Sequence, residues 1–133
     1  MTGASIPELL RDPSTTVAVV GATDRPGKYG GIIYRDLKAK GFRVFAVNPY
    51  RDEVDGDPCY RSLDHLPEPP AIVNYVVPPR RTLDTLRAAR RLGHLNAWVQ
   101  PGAEDDDVVA YLETEGFNFL VHACIMIQAR AHA

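Results

Sequence analysis

Short β-branched apolar runs alternate along this chain with stretches whose apolar residues recur at helical spacing. Residues 6–11 read as a short helical lead-in. The run Val17-Ala-Val-Val20, with Thr16 before it, is too short for a helix and predicts a first strand over 16–20. Tyr29, Ile32, Ile33 and Leu37 fall on successive turns of a helix predicted over 29–40, which Gly41 stops. A second strand is predicted over 43–47 and is broken by Asn48-Pro49. Residues 50–70 are polar and rich in Asp, Pro and Gly. They hold a short extended piece at 58–60 and one helical turn over 62–66 for which Ser62 is the expected cap. A third strand is predicted over 71–77, ended by Pro78-Pro79, and an amphipathic helix over 82–92, closed by Gly93. A fourth strand over 95–99 runs into Gln100-Pro101-Gly102. A helix over 104–115 then opens on four acids, which suit its dipole, and a fifth strand lies over 117–121.

Strands alternating with helices specify an α/β fold. The expectation is three layers, a Rossmann-like doubly wound parallel sheet of about five strands with helices on both faces. The expected order, in predicted strand numbers, is 3-2-1-4-5, with the topological switch between the first and fourth strands. Ligands in such sheets bind outside the carboxyl ends of the strands at that switch.

Bulk composition narrows the function classes. The 133 residues form one domain with a sizeable core, 45% apolar and 24% charged. The net charge of −2 and the absence of a basic run argue against a nucleic-acid partner. Arg80-Arg81 and Arg90-Arg91 are the densest basic spots and read as solvated helix faces. The apolar stretches are strand-sized, so no membrane span is expected, and the N-terminus lacks the pattern of a secretory signal. Two distant cysteines, Cys59 and Cys124, fit free thiols in a cytoplasmic protein. A homodimer is compatible with a domain of this size, although no sequence feature marks a contact surface.

Candidate chemistry concentrates at the strand exits. The first strand runs into Gly21-Ala22-Thr23, a glycine turn followed by a helix start, the arrangement that presents free N–H groups to a phosphate. It is not G-x-G-x-x-G, because Ala22-Thr23 stand where the second glycine belongs. The second strand exits into Asn48-Pro49-Tyr50-Arg51, where a NAD site would carry an acidic residue for the ribose. Asn48 with Arg51 suits a phosphorylated ribose instead, which leaves NADP and coenzyme A open.

The chain resembles the small CoA-binding Rossmann family, related to the first domain of the succinyl-CoA synthetase alpha subunit. The matching residues are Val19-Val20-Gly21-Ala22-Thr23, Gly41-Phe42-Arg43-Val44, Val47-Asn48-Pro49, Val54-Asp55-Gly56, Tyr60-Arg61-Ser62-Leu63 and Trp98-Val99-Gln100-Pro101-Gly102. Their order and spacing run from about residue 15 to 125. The resemblance implies that Gly21, Ala22 and Thr23 hold a pyrophosphate and that Lys28, Tyr29 and Gly30 close over it. It implies that Asn48, Pro49 and Arg51 lie by the adenosine and its 3′-phosphate, and that Val77 and Pro78 flank the adenine. Gln100, Pro101 and Gly102 would line the path of the pantetheine arm. His122-Ala123-Cys124 departs from the family's usual Asp or Asn, Arg, Cys.

The expected function is therefore non-catalytic binding of coenzyme A or acyl-CoA. The synthetase moves phosphate through a histidine in another domain, so the resemblance does not imply activity here. The alternative is a small NADP-binding oxidoreductase or redox sensor. His65, His94, His122 and His132 have no metal-ligand spacing, and Asp105, Asp106 and Asp107 diverge around a helix, so no metal is expected. Trp98 and Cys124 read as core residues.

Overall fold

The computed structural model describes residues 5–12 and 14–130. His132 and residues 1–4 of the N-terminal sequence lie outside that range. The elements, in chain order, are α1 (Ile6–Leu9), β1 (Thr16–Val20), α2 (Tyr29–Ala39), β2 (Arg43–Val47), β3 (Glu53–Val54), β4 (Asp57–Tyr60), a 3-10 turn (Leu63–His65), β5 (Ile72–Tyr75), α3 (Pro79–Leu92), β6 (Asn96–Val99), α4 (Asp106–Thr114), β7 (Asn118–Leu120) and α5 (Ile125–Gln128). Among the described residues no helix is long and apolar enough to cross a membrane.

The α/β, Rossmann-like class holds, but the sheet has seven strands rather than about five, in the order β3-β4-β2-β1-β5-β6-β7. All pairings are parallel except the β3–β4 hairpin. The strand predicted third, β5, does not lie beyond β2. It pairs with β1 on the opposite side, with Val17 against Ile72. The position outside β2 is occupied by β4, which aligns Cys59 with Ala46. The switch point therefore lies between β1 and β5, not between the first and fourth predicted strands. Outside β4 the sheet ends in a hairpin: Asp55 and Gly56 both take positive φ, 58° and 83°, making a two-residue turn that folds β3 back on β4.

Side chains alternate between the two faces of the sheet. Val17, Val19, Ala46, Ile72 and Trp98 pack against α1, α2 and α5 through Ile6, Ile33, Leu37 and Ile125. Ala18, Val20, Val47, Val73, Tyr75 and Val99 pack against α3 and α4 through Leu86, Ala89, Val108 and Leu112. Every residue of β1 is buried, as a strand covered on both faces must be.

Several boundaries shift for identifiable reasons. Helix α3 begins at Pro79, three residues before the predicted start, because proline suits a first helical position. Helix α4 begins at Asp106, since Asp105 caps it by accepting the Val108 N–H at 2.9 Å. Ser62 does not cap the turn that follows it; its hydroxyl sits 3.1 Å from His65 Nδ1 instead.

The start of α2 rides directly on the end of β1. A Cβ on Gly30 would lie 1.9 Å from the carbonyl oxygen of Gly21 and 2.8 Å from its carbon. Backbone atoms cannot yield as a flexible side chain can, so Gly30→Ala must push the helix off the strand. The expected cost is about 1–3 kcal/mol or more, read as a lower urea midpoint at unchanged m-value. A midpoint equal to wild type would contradict this close packing.

Candidate functional site

Two abutting cavities open along the carboxyl edge of the sheet. The first, about 560 Å³, lies where β1, β2 and β5 end. The second, about 400 Å³, lies toward the end of β6. They share Tyr29, Val76, Val77 and Pro78, so one continuous surface runs from the exit of β2 to the exit of β6.

Of the residues expected at the strand-one exit, Gly21, Thr23, Lys28, Tyr29 and Gly30 line the first cavity. Ala22 does not. It is fully buried in the core beneath the loop, and its N–H points back to the Val19 carbonyl at 3.4 Å. The Gly21 N–H is also committed, donating to the Val47 carbonyl at 2.9 Å. The loop's backbone donors at these two positions are therefore spent, Gly21 across the sheet to β2 and Ala22 on its own strand, and are not free for a ligand. Donors remain at the start of α2: Gly31 and Ile32 donate to the Lys28 carbonyl at 3.1 and 3.2 Å, which leaves the N–H groups of Tyr29 and Gly30 ahead of the first helical bonds, and no side chain caps them. Such a helix start favours an anion.

Asn48, Pro49 and Arg51 line the same cavity from the exit of β2. Asn48 ties the two exits together. Its amide nitrogen donates to the Ala22 carbonyl at 2.9 Å, and its oxygen accepts the Tyr50 N–H at 2.8 Å. Arg51 is already engaged: its Nε lies 3.1 Å from Asp24 Oδ1, and Nη1 donates to the Tyr50 carbonyl at 3.2 Å.

Val77 and Pro78 stand in the wall common to both cavities, and Gln100, Pro101 and Gly102 line the second. Gln100 is almost fully buried, at 3% exposure. Its Oε1 accepts from Asn74 Nδ2 at 3.1 Å and from the Ile125 N–H at 2.9 Å. Two donors on the oxygen fix the orientation of the amide, so Nε2 faces the Cys124 sulfur at 3.3 Å. Cys124 is half-buried and lines the second cavity, which corrects its reading as a core thiol. Cys59 is buried beside β2, and burial is the main influence pushing its thiol pKa up.

The sequence reading missed Arg25, Tyr50 and Arg81, all of which line the first cavity. Arg81 had the character of a solvated helix face. Its position two residues after Pro79, on the first turn of a helix leaving a strand end, was the usable signal. Arg90 and Arg91 do lie at the surface, paired with Glu115 and Asp64. The first cavity thus gathers four cationic side chains, Arg25, Lys28, Arg51 and Arg81, and one carboxylate, Asp84, which Arg87 engages at 3.2 Å. The second is walled mainly by apolar groups. No cluster of three or more metal-ligating side chains occurs among the described residues.

A family model described as a CoA binding domain matches residues 15–130. The chain is 29% identical over 133 residues to the uncharacterized protein YneT of Bacillus subtilis, covering 98% of this chain and 93% of that protein. It is 41% identical over 64 residues to the ADP-forming acetate–CoA ligase I of Archaeoglobus fulgidus, covering 48% of this chain but 9% of the ligase. A solved structure of a conserved hypothetical protein from Pyrococcus furiosus superposes with a TM-score of 0.83 at 41% identity, covering 86% of this chain and 98% of that one.

Replacing Gln100 by Leu would strip partners from the buried Asn74 amide and the Ile125 N–H at once. The expected loss is about 2–4 kcal/mol of unfolding free energy, measured by urea denaturation. A Gln100→Leu protein of wild-type stability would show that these bonds are not what holds the C-terminal segment.

Proposed function

Because the chain belongs to the CoA-binding domain family, matched over residues 15–130, we propose that it binds coenzyme A or acyl-CoA along the edge of its sheet. The observation that carries this reading is the pairing of a cation-rich cavity with an apolar one through a shared wall. A ligand with a polyanionic nucleotide at one end and a long, weakly polar arm at the other matches that division. The start of α2, with Thr23, Lys28, Tyr29 and Gly30 around it, would take the pyrophosphate. Asn48, Pro49 and Arg51 would border the adenosine, with Val77 and Pro78 against its base. The pantetheine arm would then pass Gln100, Pro101 and Gly102 toward Cys124.

Binding without chemistry is part of the proposal. The lining supplies one carboxylate, already in an ion pair, and one thiol that accepts a hydrogen bond from Gln100. The curated ligase to which half of this chain is similar is far longer, the matched stretch being 9% of it, so its activity is not carried over. Two free cysteines accord with a cytoplasmic location.

Isothermal calorimetry with CoA, NAD and NADP tests the reading. CoA is expected to bind most tightly, and tighter binding of NADP would replace it with the dinucleotide alternative. Alkylation tests the path of the arm. In the native protein Cys124 should react with iodoacetamide well before Cys59, and saturating CoA should slow Cys124 several-fold. Unchanged labelling with CoA bound would remove the second cavity from the site.

A further inference from the structure

We infer that Arg81, rather than Arg51, reads the ribose phosphate of the bound nucleotide, an assignment that rests on the CoA-binding reading above. Two guanidinium groups converge on Tyr50 at the nucleoside end of the first cavity. Arg81 Nη2 donates to the Tyr50 hydroxyl at 2.9 Å, and its guanidinium carbon lies 4.9 Å from the ring centroid. Arg51 reaches the carbonyl of the same residue.

Their electrostatic situations differ. Arg51 already holds a carboxylate, Asp24, at 3.1 Å, and a phosphate could engage it fully only at the expense of that ion pair. Among the described residues no carboxylate lies within ion-pair distance of Arg81; the nearby Asp84 is held by Arg87. What Arg81 would give up is a hydrogen bond to a neutral hydroxyl and at most its contact with the exposed Tyr50 ring. A charge-assisted, bidentate contact to phosphate is roughly twice as strong as a neutral one, so the exchange favours the ligand. Arg25 and Lys28 also line the cavity, but they belong to the loop ahead of α2 and flank the helix start, where the pyrophosphate would sit. Arg81 comes from α3 and meets Tyr50, which follows the exit of β2. Tyr50 is 65% exposed and keeps the free Arg81 side chain at the cavity rim.

The experiment compares CoA with 3′-dephospho-CoA by calorimetry on wild type, Arg81→Gln, Arg81→Lys and Arg51→Gln. Arg81 is exposed, so its variants should fold, and circular dichroism verifies this. Wild type should prefer CoA over dephospho-CoA by about ten- to hundred-fold, the range for hydrogen bonds to charged groups. Arg81→Gln should bring that ratio close to one, with CoA losing about ten-fold or more affinity beyond any loss for dephospho-CoA. Arg81→Lys should keep part of it, and Arg51→Gln most of it. A preference intact in Arg81→Gln, or erased only in Arg51→Gln, overturns the assignment. Equal binding of both ligands by wild type also overturns it but leaves CoA binding standing. Binding of neither ligand removes the functional reading, and this assignment with it.

Discussion

The approach of α2 to β1 governs the whole ligand-facing edge. Gly30 sits on the Gly21 carbonyl with no room for a side chain, and Gly31 is similarly close to the Thr23 carbonyl oxygen, 2.4 Å from where its Cβ would be. Two glycines on one helix turn let the helix start press against the strand exit. That contact aims the free N–H groups of the helix into the first cavity and places Tyr29 in the wall shared with the second. In the dinucleotide fingerprint, one glycine makes the turn and another allows helix and strand to pack. Both functions survive here, at Gly21 and Gly30, but seven other residues of loop separate Gly21 from the helix start at Tyr29. The motif is stretched rather than degraded.

Stretching it changes which atoms face the first cavity. The N–H groups of Gly21 and Ala22 turn inward to Val47 and Val19, and Ala22 becomes core. The cationic side chains that line the first cavity then come from three different strand exits: Arg25 and Lys28 after β1, Arg51 after β2 and Arg81 after β5. A fingerprint read from spacing alone misses such an arrangement, because its cationic side chains come from separate stretches of the chain.

The central elements were legible in the sequence because their signals are strong and local. Strand β1 is a run of β-branched and small apolar residues, and β2 begins and ends as its pattern predicts. The strand order was not legible. Strands β3 and β4 are two and four residues long, and their stability comes from pairing rather than from their own apolar content. The extended piece expected at 58–60 is β4, and the turn at Asp55-Gly56 was the one available sign that it pairs as a hairpin. Additional support for β4 comes from outside the sheet: Asp57 accepts from Tyr34 and Lys38 on α2, and those bonds hold its carboxyl below the usual range. Contacts of that separation leave no periodic trace. The candidate site was legible in proportion to its dependence on strand exits. Thr23, Asn48, Val77 and Gln100 follow strands directly, whereas Arg81 reaches the cavity from a helix turn that composition alone assigns to solvent.

The C-terminal segment is held in an unusual manner. Lys40 Nζ donates to the Met126 carbonyl at 2.7 Å, Trp98 Nε1 to the Ala123 carbonyl at 2.8 Å, and Gln100 accepts the Ile125 N–H. In each case a side chain from the body of the domain grips a backbone atom of the tail. The position of that segment is thereby written into residues 40, 98 and 100 as well as into its own Ile125 and Ala129, which are buried in the core. Cys124, the one residue of the segment that lines the apolar cavity, is thereby a chemically rewritable position. A descendant of this scaffold can exchange the thiol there for a hydroxyl, a methyl or a charge without redrawing the backbone that presents it.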